Sequence, residues 1–204
     1  MQSPLTEQHF IELTDRHWTM QDQFLCKALT ERLFMQAQDL WNQGQFKKSK
    51  IGRGAEQKMA SHIRSDLICW VDLLALNPLN QELQKILQSL QNQLSQEMRQ
   101  RIDSTECHFA KYGPGSAYDE HIDQSKTSSS FLGERVFSFV LYLNKAWKPE
   151  HGGQLVIRKV DGENLEILEP LWGRLVVFRS DTVPHAVLAT HFDRWSLTGW
   201  FRRS

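Results

Sequence analysis

The sequence predicts a mainly β fold with flanking α-helices, in which a double-stranded β-helix (jelly-roll) core is buttressed by N-terminal helices. Three observations predict it. Composition changes near residue 104: the first 100 residues hold 16 glutamines and the remainder only Gln124 and Gln154. Before that point apolar residues recur at helical spacing. Beyond it they come in short runs divided by turn signals with no helix between them, which suits a sandwich or jelly roll and argues against a doubly wound α/β sheet.

The first helix is expected over Gln21 to Trp41, where Leu25, Leu29, Leu33, Ala37 and Leu40 form a stripe beside Phe24, Ala28 and Trp41. A second follows Asn77-Pro78, a cap and a first-turn proline, with Leu83, Leu87, Leu90, Leu94 and Met98 on one face and Gln, Ser, Glu and Lys on the other. That helix should dock by one side only. Between them Gln43 to Met59 is rich in glycine and lysine and reads as a mobile loop or lid, its cluster Lys47, Lys48, Lys50 and Arg53 solvated.

Strands are expected at Cys107–Tyr112, Ala117–Ile122, Val136–Leu143, Gln154–Arg158, Leu165–Leu168, Leu175–Phe178, His185–Ala189 and Trp195–Phe201. Turn signals at Gly113, His151, Asp161, Trp172 and Ser180 separate them. A chain of 204 residues fits one domain, with 1–104 as helical support and lid and 105–204 as the catalytic core.

Bulk properties exclude several classes. Lys+Arg and Asp+Glu number 24 each, 12 of each on either side of Ser104, so charge draws the chain neither to nucleic acid nor to an anionic membrane. Cys26, Cys69 and Cys107 are too few and too widely spaced for a disulfide scaffold and suit a reducing, cytoplasmic setting. The first residues lack the apolar core of a secretion signal, and the longest apolar run, Val136 to Leu143, is too short to span a bilayer. No GxGxxG, P-loop, GxSxG or HExxH motif occurs.

Chemistry concentrates at His121-Ile122-Asp123. Residues i and i+2 of a strand project from one face, so the imidazole and carboxylate can share an ion while Ile122 points away. His185, 62 positions after Asp123, opens a later strand and can supply a third ligand. Two histidines and one carboxylate form the facial triad of non-haem Fe(II) oxygenases. Arg194, nine residues after His185, can reach back from the next strand and hold a carboxylate through two hydrogen bonds. A zinc hydrolase fits less well, because such a site rarely needs a separate buried arginine.

These residues resemble the 2-oxoglutarate- and Fe(II)-dependent dioxygenases of the prolyl 4-hydroxylase type, closest to the branch containing the hypoxia-inducible-factor prolyl hydroxylases and their bacterial relatives. The resemblance runs from about Ile63 to Arg203. It rests on Ile63-Arg64-Ser65-Asp66 through Trp70, Tyr112-Gly113-Pro114-Gly115 through Tyr118 to His121 and Asp123, and Leu141-Tyr142-Leu143-Asn144 with Trp147. Gly152-Gly153-Gln154-Leu155, Pro184-His185, and Arg194 through Trp200 complete it. Collagen-type members usually carry lysine in the role of Arg194.

The resemblance implies Fe(II) on His121, Asp123 and His185, with 2-oxoglutarate as cosubstrate, O2 as oxidant and ascorbate as a reductant. It implies that Arg194 meets the distal carboxylate of 2-oxoglutarate, with Tyr142 and Thr198 as supporting donors and Tyr112, Trp200 and Leu155 in the pocket. Arg64, Asp66 and Arg135 map to the mouth, where an extended peptide and its proline would lie. The expected activity is 4-hydroxylation of a prolyl residue in a protein, with succinate and CO2 as co-products, by a cytoplasmic monomer with no membrane partner. A component of the translation machinery is one candidate substrate. The same chemistry on another side chain, a free amino acid or a nucleic acid, and a non-catalytic iron or 2-oxoglutarate sensor, stay open as alternatives. Trp147 and Trp172 are expected to pack in the core or at its rim, and Cys107 and His108 to be core and polar-face residues.

Overall fold

The computed structural model describes residues 4–49, 64–124, 133–158 and 165–204. In chain order the elements are α1 (Glu7–Asp15), β1 (Trp18–Gln21), α2 (Lys27–Asn42), β2 (Lys47–Lys48), β3 (Leu67–Trp70) and α3 (Pro78–Glu97). The strands β4 (Ser104–Tyr112), β5 (Tyr118–His121), β6 (Glu134–Tyr142), β7 (Leu155–Arg158) and β8 (Leu165–Leu168) follow, and β9 (Leu175–Arg179), β10 (His185–Val187) and β11 (Arg194–Arg203) close the chain. A short 3-10 turn, Pro149–His151, precedes β7. The described strands form two antiparallel sheets, β1-β9-β6-β11-β4-β3-β2 and β5-β10-β7-β8, giving the expected mainly β, jelly-roll architecture.

Strand alternation divides the core into two layers. On β6, Phe137, Phe139 and Leu141 point to the helices, joined by Cys107 and Phe109 of β4 and by Trp195, Leu197 and Phe201 of β11. The intervening Val140, Tyr142, Ala110 and Tyr112 face the smaller sheet and meet its Leu155, Ile157, Leu168 and Val187. Both faces of the central strands are therefore buried, which is why their sequences read as continuous apolar runs and not as strict alternation. At Gly199 a side chain has no room: a Cβ there would lie 2.6 Å from the Phe139 ring and 2.7 Å from Cys107 Cβ. Glycine at this position lets Phe139 lie across the sheet.

The second expected helix is α3. Asn77 Oδ1 accepts a hydrogen bond from the Asn80 N–H at 2.9 Å, Pro78 takes the first turn, and Leu83, Leu87, Leu90 and Leu94 are buried against the sheet. Each such leucine contributes about 1.5–3 kcal/mol by leaving water.

The N-terminal part departs from expectation. The helix expected from Gln21 starts at Lys27, because Trp18–Gln21 pairs instead with β9 (Trp18 opposite Phe178, Gln21 opposite Leu175). Phe24 and Leu25 are buried in the connecting turn, where the Phe24 N–H donates to Gly173 O at 2.9 Å. The helix α1 and the strands β1 and β3 were not expected. Lys47–Lys48 of the expected loop forms β2, paired with Leu67 and Ile68. Residues 50–59 of that loop, including Lys50 and Arg53, lie outside the described residues, as do Ile63 and the expected turn at Asp161. Among the described residues no helix is long and apolar enough to cross a membrane.

Candidate active site

His121 ends β5, Asp123 follows it in the turn, and His185 opens β10, where it is directly opposite His121. Cross-strand pairing thus joins two residues 64 apart in sequence, and Ile122 between them is exposed as period-two geometry requires. The ligand-capable atoms of His121, Asp123 and His185 all lie within 4.8 Å of one another. His121 Nε2 is 3.7 Å from Asp123 Oδ1, and His185 Nε2 is 3.8 Å from Asp123 Oδ2. These separations exceed a hydrogen bond, so the three groups do not satisfy one another.

Both imidazoles are oriented from behind. His121 Nδ1 lies 2.8 Å from Asp119 O and His185 Nδ1 lies 3.1 Å from Val183 O. A carbonyl can only accept, so each Nδ1 carries the proton and each Nε2 turns its lone pair toward Asp123. The Tyr118 ring stacks on His121 with centroids 3.6 Å apart, and Phe178 flanks His185 at 4.5 Å. Ser138 Oγ–H donates to Asp123 Oδ2 at 2.6 Å and is itself 2.8 Å from Ser180 Oγ.

Burial works against the charged form of Asp123. His185, His121, Arg135 and the Ser138 hydrogen bond outweigh it and hold the carboxyl well below the ordinary carboxylate range. Burial, then His185, push His121 down to about 4, so it is neutral at physiological pH. Two imidazole nitrogens with an ionised carboxylate make a donor set that fits Fe(II).

The second half of the site is a carboxylate receptor. Arg194 is 2% exposed and opens β11 opposite Tyr112. Its Nε–H donates to Gly153 O at 2.8 Å, and its guanidinium carbon lies 5.0 Å from the ring centroids of both Tyr112 and Tyr142. Gly153 has φ +65, and a Cβ there would meet Arg194 Cδ at 2.9 Å, so glycine admits the arginine. Among the described residues no carboxylate pairs with this guanidinium, and the buried Tyr142 hydroxyl has only that arginine as a partner, with nothing to accept its own proton. A buried cation without an anion and a hydroxyl without an acceptor are both costly, and one carboxylate would relieve both. The distal carboxylate of 2-oxoglutarate fits that requirement.

Thr198 and Trp200 stand further along β11 on the same face as Arg194, opposite His108 and Glu106. Thr198 Oγ1 is 3.2 Å from Ser196 Oγ, and Leu155 is buried between the sheets. The Arg135 guanidinium carbon sits 3.4 Å from the Trp200 ring centroid, and Arg135 donates to Glu106 at 3.3 Å.

Asp66 is not open to solvent: it is fully buried, held by Arg64 Nε and Nη2 at 2.6 and 2.9 Å and by Ser49 Oγ at 2.6 Å. It fixes Arg64, whose guanidinium lies 4.7 Å from the Tyr118 ring centroid. Arg64→Ala should therefore cost about 3–5 kcal/mol of stability by leaving a buried carboxylate unpaired. Chemical denaturation would measure it, and a loss below 1 kcal/mol would show that the pair is not a structural anchor.

Sequence reading missed Ser138, Tyr118, Gly153 and His108 as parts of this site. Ser138 had a legible signal, a hydroxyl in the middle of an apolar strand. His108, expected on the polar face of its strand, is fully buried, and neither ring nitrogen has a hydrogen-bond partner. Burial first, then Arg64, push its pKa down to about 3, while Asp66 and Asp123 oppose and Arg135 assists. A depressed histidine pKa means that the unfolded chain binds the extra proton first. Its contribution is complete above about pH 6.5 and is lost as pH falls toward 3, at up to about 1.4 kcal/mol per pH unit. Wild-type stability should drop across that window and His108→Leu should flatten the curve. Parallel curves would count against the buried neutral form.

Residues 107–202 match the sequence model of the 2OG-Fe(II) oxygenase superfamily. Among solved structures the chain is similar to a Pseudomonas putida prolyl-4-hydroxylase, with a TM-score of 0.85 and 32% identity over 97% of this chain and 98% of that one. It is also similar to a Trichoplax adhaerens prolyl hydroxylase in complex with a hypoxia inducible factor oxygen degradation domain peptide fragment (TM-score 0.82, 24% identity, 95% and 87% covered). A prolyl 4-hydroxylase from Phytophthora capsici shares the fold at 19% identity, with a TM-score of 0.76 and 98% of this chain and 63% of that one covered.

Proposed function

We propose, from the premise that this chain belongs to the 2OG-Fe(II) oxygenase superfamily, that it hydroxylates a prolyl residue of a protein substrate at the 4-position. Membership makes it a dioxygenase that uses Fe(II), 2-oxoglutarate and O2. When bound, the iron and cosubstrate supply the oxidation: one oxygen atom enters the C–H bond of the substrate, the other enters succinate, and CO2 leaves.

The protein supplies the rest. In this reading His121, Asp123 and His185 hold the iron, with Asp119 O, Val183 O and Ser138 fixing their orientation. Arg194 and Tyr142 take the distal carboxylate, Tyr112 underlies the guanidinium, and Thr198, Leu155 and Trp200 wall the pocket. Arg64, held by Asp66, and Arg135 stand on the substrate side. The observation that carries the dioxygenase site is the buried Arg194 guanidinium, which has no carboxylate of its own among the described residues and only the Tyr142 hydroxyl beside it.

The choice of proline is supported by 32% identity to the Pseudomonas putida prolyl-4-hydroxylase along nearly the whole of both chains. A protein substrate is supported by the peptide bound to the Trichoplax adhaerens enzyme. The test is mass spectrometry of lysate proteins incubated with this protein, Fe(II), 2-oxoglutarate and O2. A gain of one oxygen atom on proline is expected. Oxygen found only on other residues, on free amino acids or on nucleic acid would overturn the prolyl assignment.

A further inference from the structure

His108 does not behave as a core histidine. It stands on β4 between Cys107 and Phe109, which face the helices, so its own side chain projects into the space between the sheets. There it lies in one cross-strand row with Thr198 and Trp70. Core histidines are ordinarily tied by at least one hydrogen bond, because an imidazole nitrogen withdrawn from water without a partner is expensive. His108 has two such nitrogens, and the Trp200 Nε1–H, whose ring centroid is 5.4 Å away, is likewise unpartnered. Three unsatisfied nitrogens thus lie side by side. What covers them is Trp70, whose indole meets the imidazole edge-on at 5.0 Å and is itself 54% exposed.

Position along the strand separates His108 from the Arg194 end of the pocket, and Thr198 and Trp200 carry the cavity wall from that end toward it. His108 is four residues from Tyr112, which is opposite Arg194, a displacement of about 13 Å along β4. The nearby charges are Arg64, Asp66, Arg135 and Asp123, so His108 shares its surroundings with the residues on the substrate side. These four are two cations and two anions, which leaves no excess of positive charge to draw an anion, and Arg64 is held by Asp66 while Glu106 is shared by Arg135 and Arg202.

We propose that His108 is a substrate-contacting residue: with Trp70 displaced, its imidazole N–H and the Trp200 Nε1–H donate to backbone carbonyls of the peptide beside the target proline. The chemistry favours a carbonyl. A neutral imidazole carries one N–H in either tautomer, and so always has a donor to offer. A prolyl peptide lacks an N–H at the proline nitrogen, so its extended backbone presents carbonyls in excess of donors. The contact rests on the prolyl assignment above and is tested so that the two can fail separately.

The experiment compares wild type, His108→Leu and His108→Gln on synthetic proline-containing peptides. Binding is measured by calorimetry with Fe(II) and 2-oxoglutarate under nitrogen, where no turnover occurs, and kcat/KM in air. His108→Leu should lower peptide affinity and kcat/KM about 10-fold while the 2-oxoglutarate KM and thermal stability do not fall. His108→Gln, which restores a donor, should recover part of the loss. A Leu variant that binds and turns over peptide as wild type does, with a raised melting temperature, would make His108 a packing residue and overturn the proposal. If peptides bind but oxygen is added away from proline, the prolyl assignment falls while the wild-type to Leu affinity ratio still decides the role of His108. Wild type that binds none of the peptides would overturn the contact itself.

Discussion

Asp123→Ala should abolish hydroxylation and 2-oxoglutarate turnover while leaving a cooperatively unfolding protein. The carboxylate supplies the only anionic ligand-capable atoms of the three-residue cluster, and the strands that carry His121 and His185 are paired to each other without it. Two neutral imidazoles alone bind a hard divalent ion weakly, so iron affinity should fall with activity. Ser138→Ala is the graded comparison. It removes the hydrogen bond at 2.6 Å that orients Asp123, together with the Ser138–Ser180 contact behind it, and should weaken iron binding by about 10–100-fold without abolishing it. Metal titration and turnover measured on both variants check this. Near wild-type turnover in Asp123→Ala would show that the ligand set is wrong. Some loss of thermal stability in the presence of iron is expected, because a metal that binds only the native state stabilises it.

Arg194→Lys should separate the two halves of the site. Lysine keeps the charge but loses the planar fork, and it is shorter, so a carboxylate bound there would be imperfectly paired. Loss of such a charge-assisted contact typically costs about 2–4 kcal/mol, which raises the 2-oxoglutarate requirement roughly 30- to 1000-fold. Iron affinity, which depends on the other end of the cavity, should barely change. The paired measurement is an Fe(II) titration and the 2-oxoglutarate dependence of turnover. Unchanged cosubstrate dependence, or collapse of iron binding, would show that Arg194 does not hold the cosubstrate.

Both variants test residues that were legible from the chain alone, and the reason is geometric. His121 and Asp123 are two apart on a strand end, His185 and Arg194 each open a strand, and local spacing was enough to aim them inward. All eight strands expected after Cys107 are present, with ends displaced by up to three residues. The features that escaped depend on pairing between distant segments. Trp18–Gln21 is a strand only because β9 offers it an edge, and two to four residues carry too little pattern to announce that. Asp66 was expected at the mouth with Arg64, and its burial shows only once Ser49 and Arg64 enclose it. His108 looked like a polar-face residue because orphaned nitrogens are visible only once every neighbour is placed.

The two-layer division of β11 has a genetic consequence. Trp195, Leu197 and Phe201 belong to the layer under the helices, whereas Arg194, Ser196, Thr198 and Trp200 face the cavity. Saturation mutagenesis of this one strand should return two interleaved phenotypes. Alternate codons would report on how much protein accumulates, and the codons between them on what the accumulated protein does. Selection for a new substrate can therefore work through the second set while the first stays fixed, and a screen that scores abundance and turnover separately would see the strand's pleat written out as a period of two.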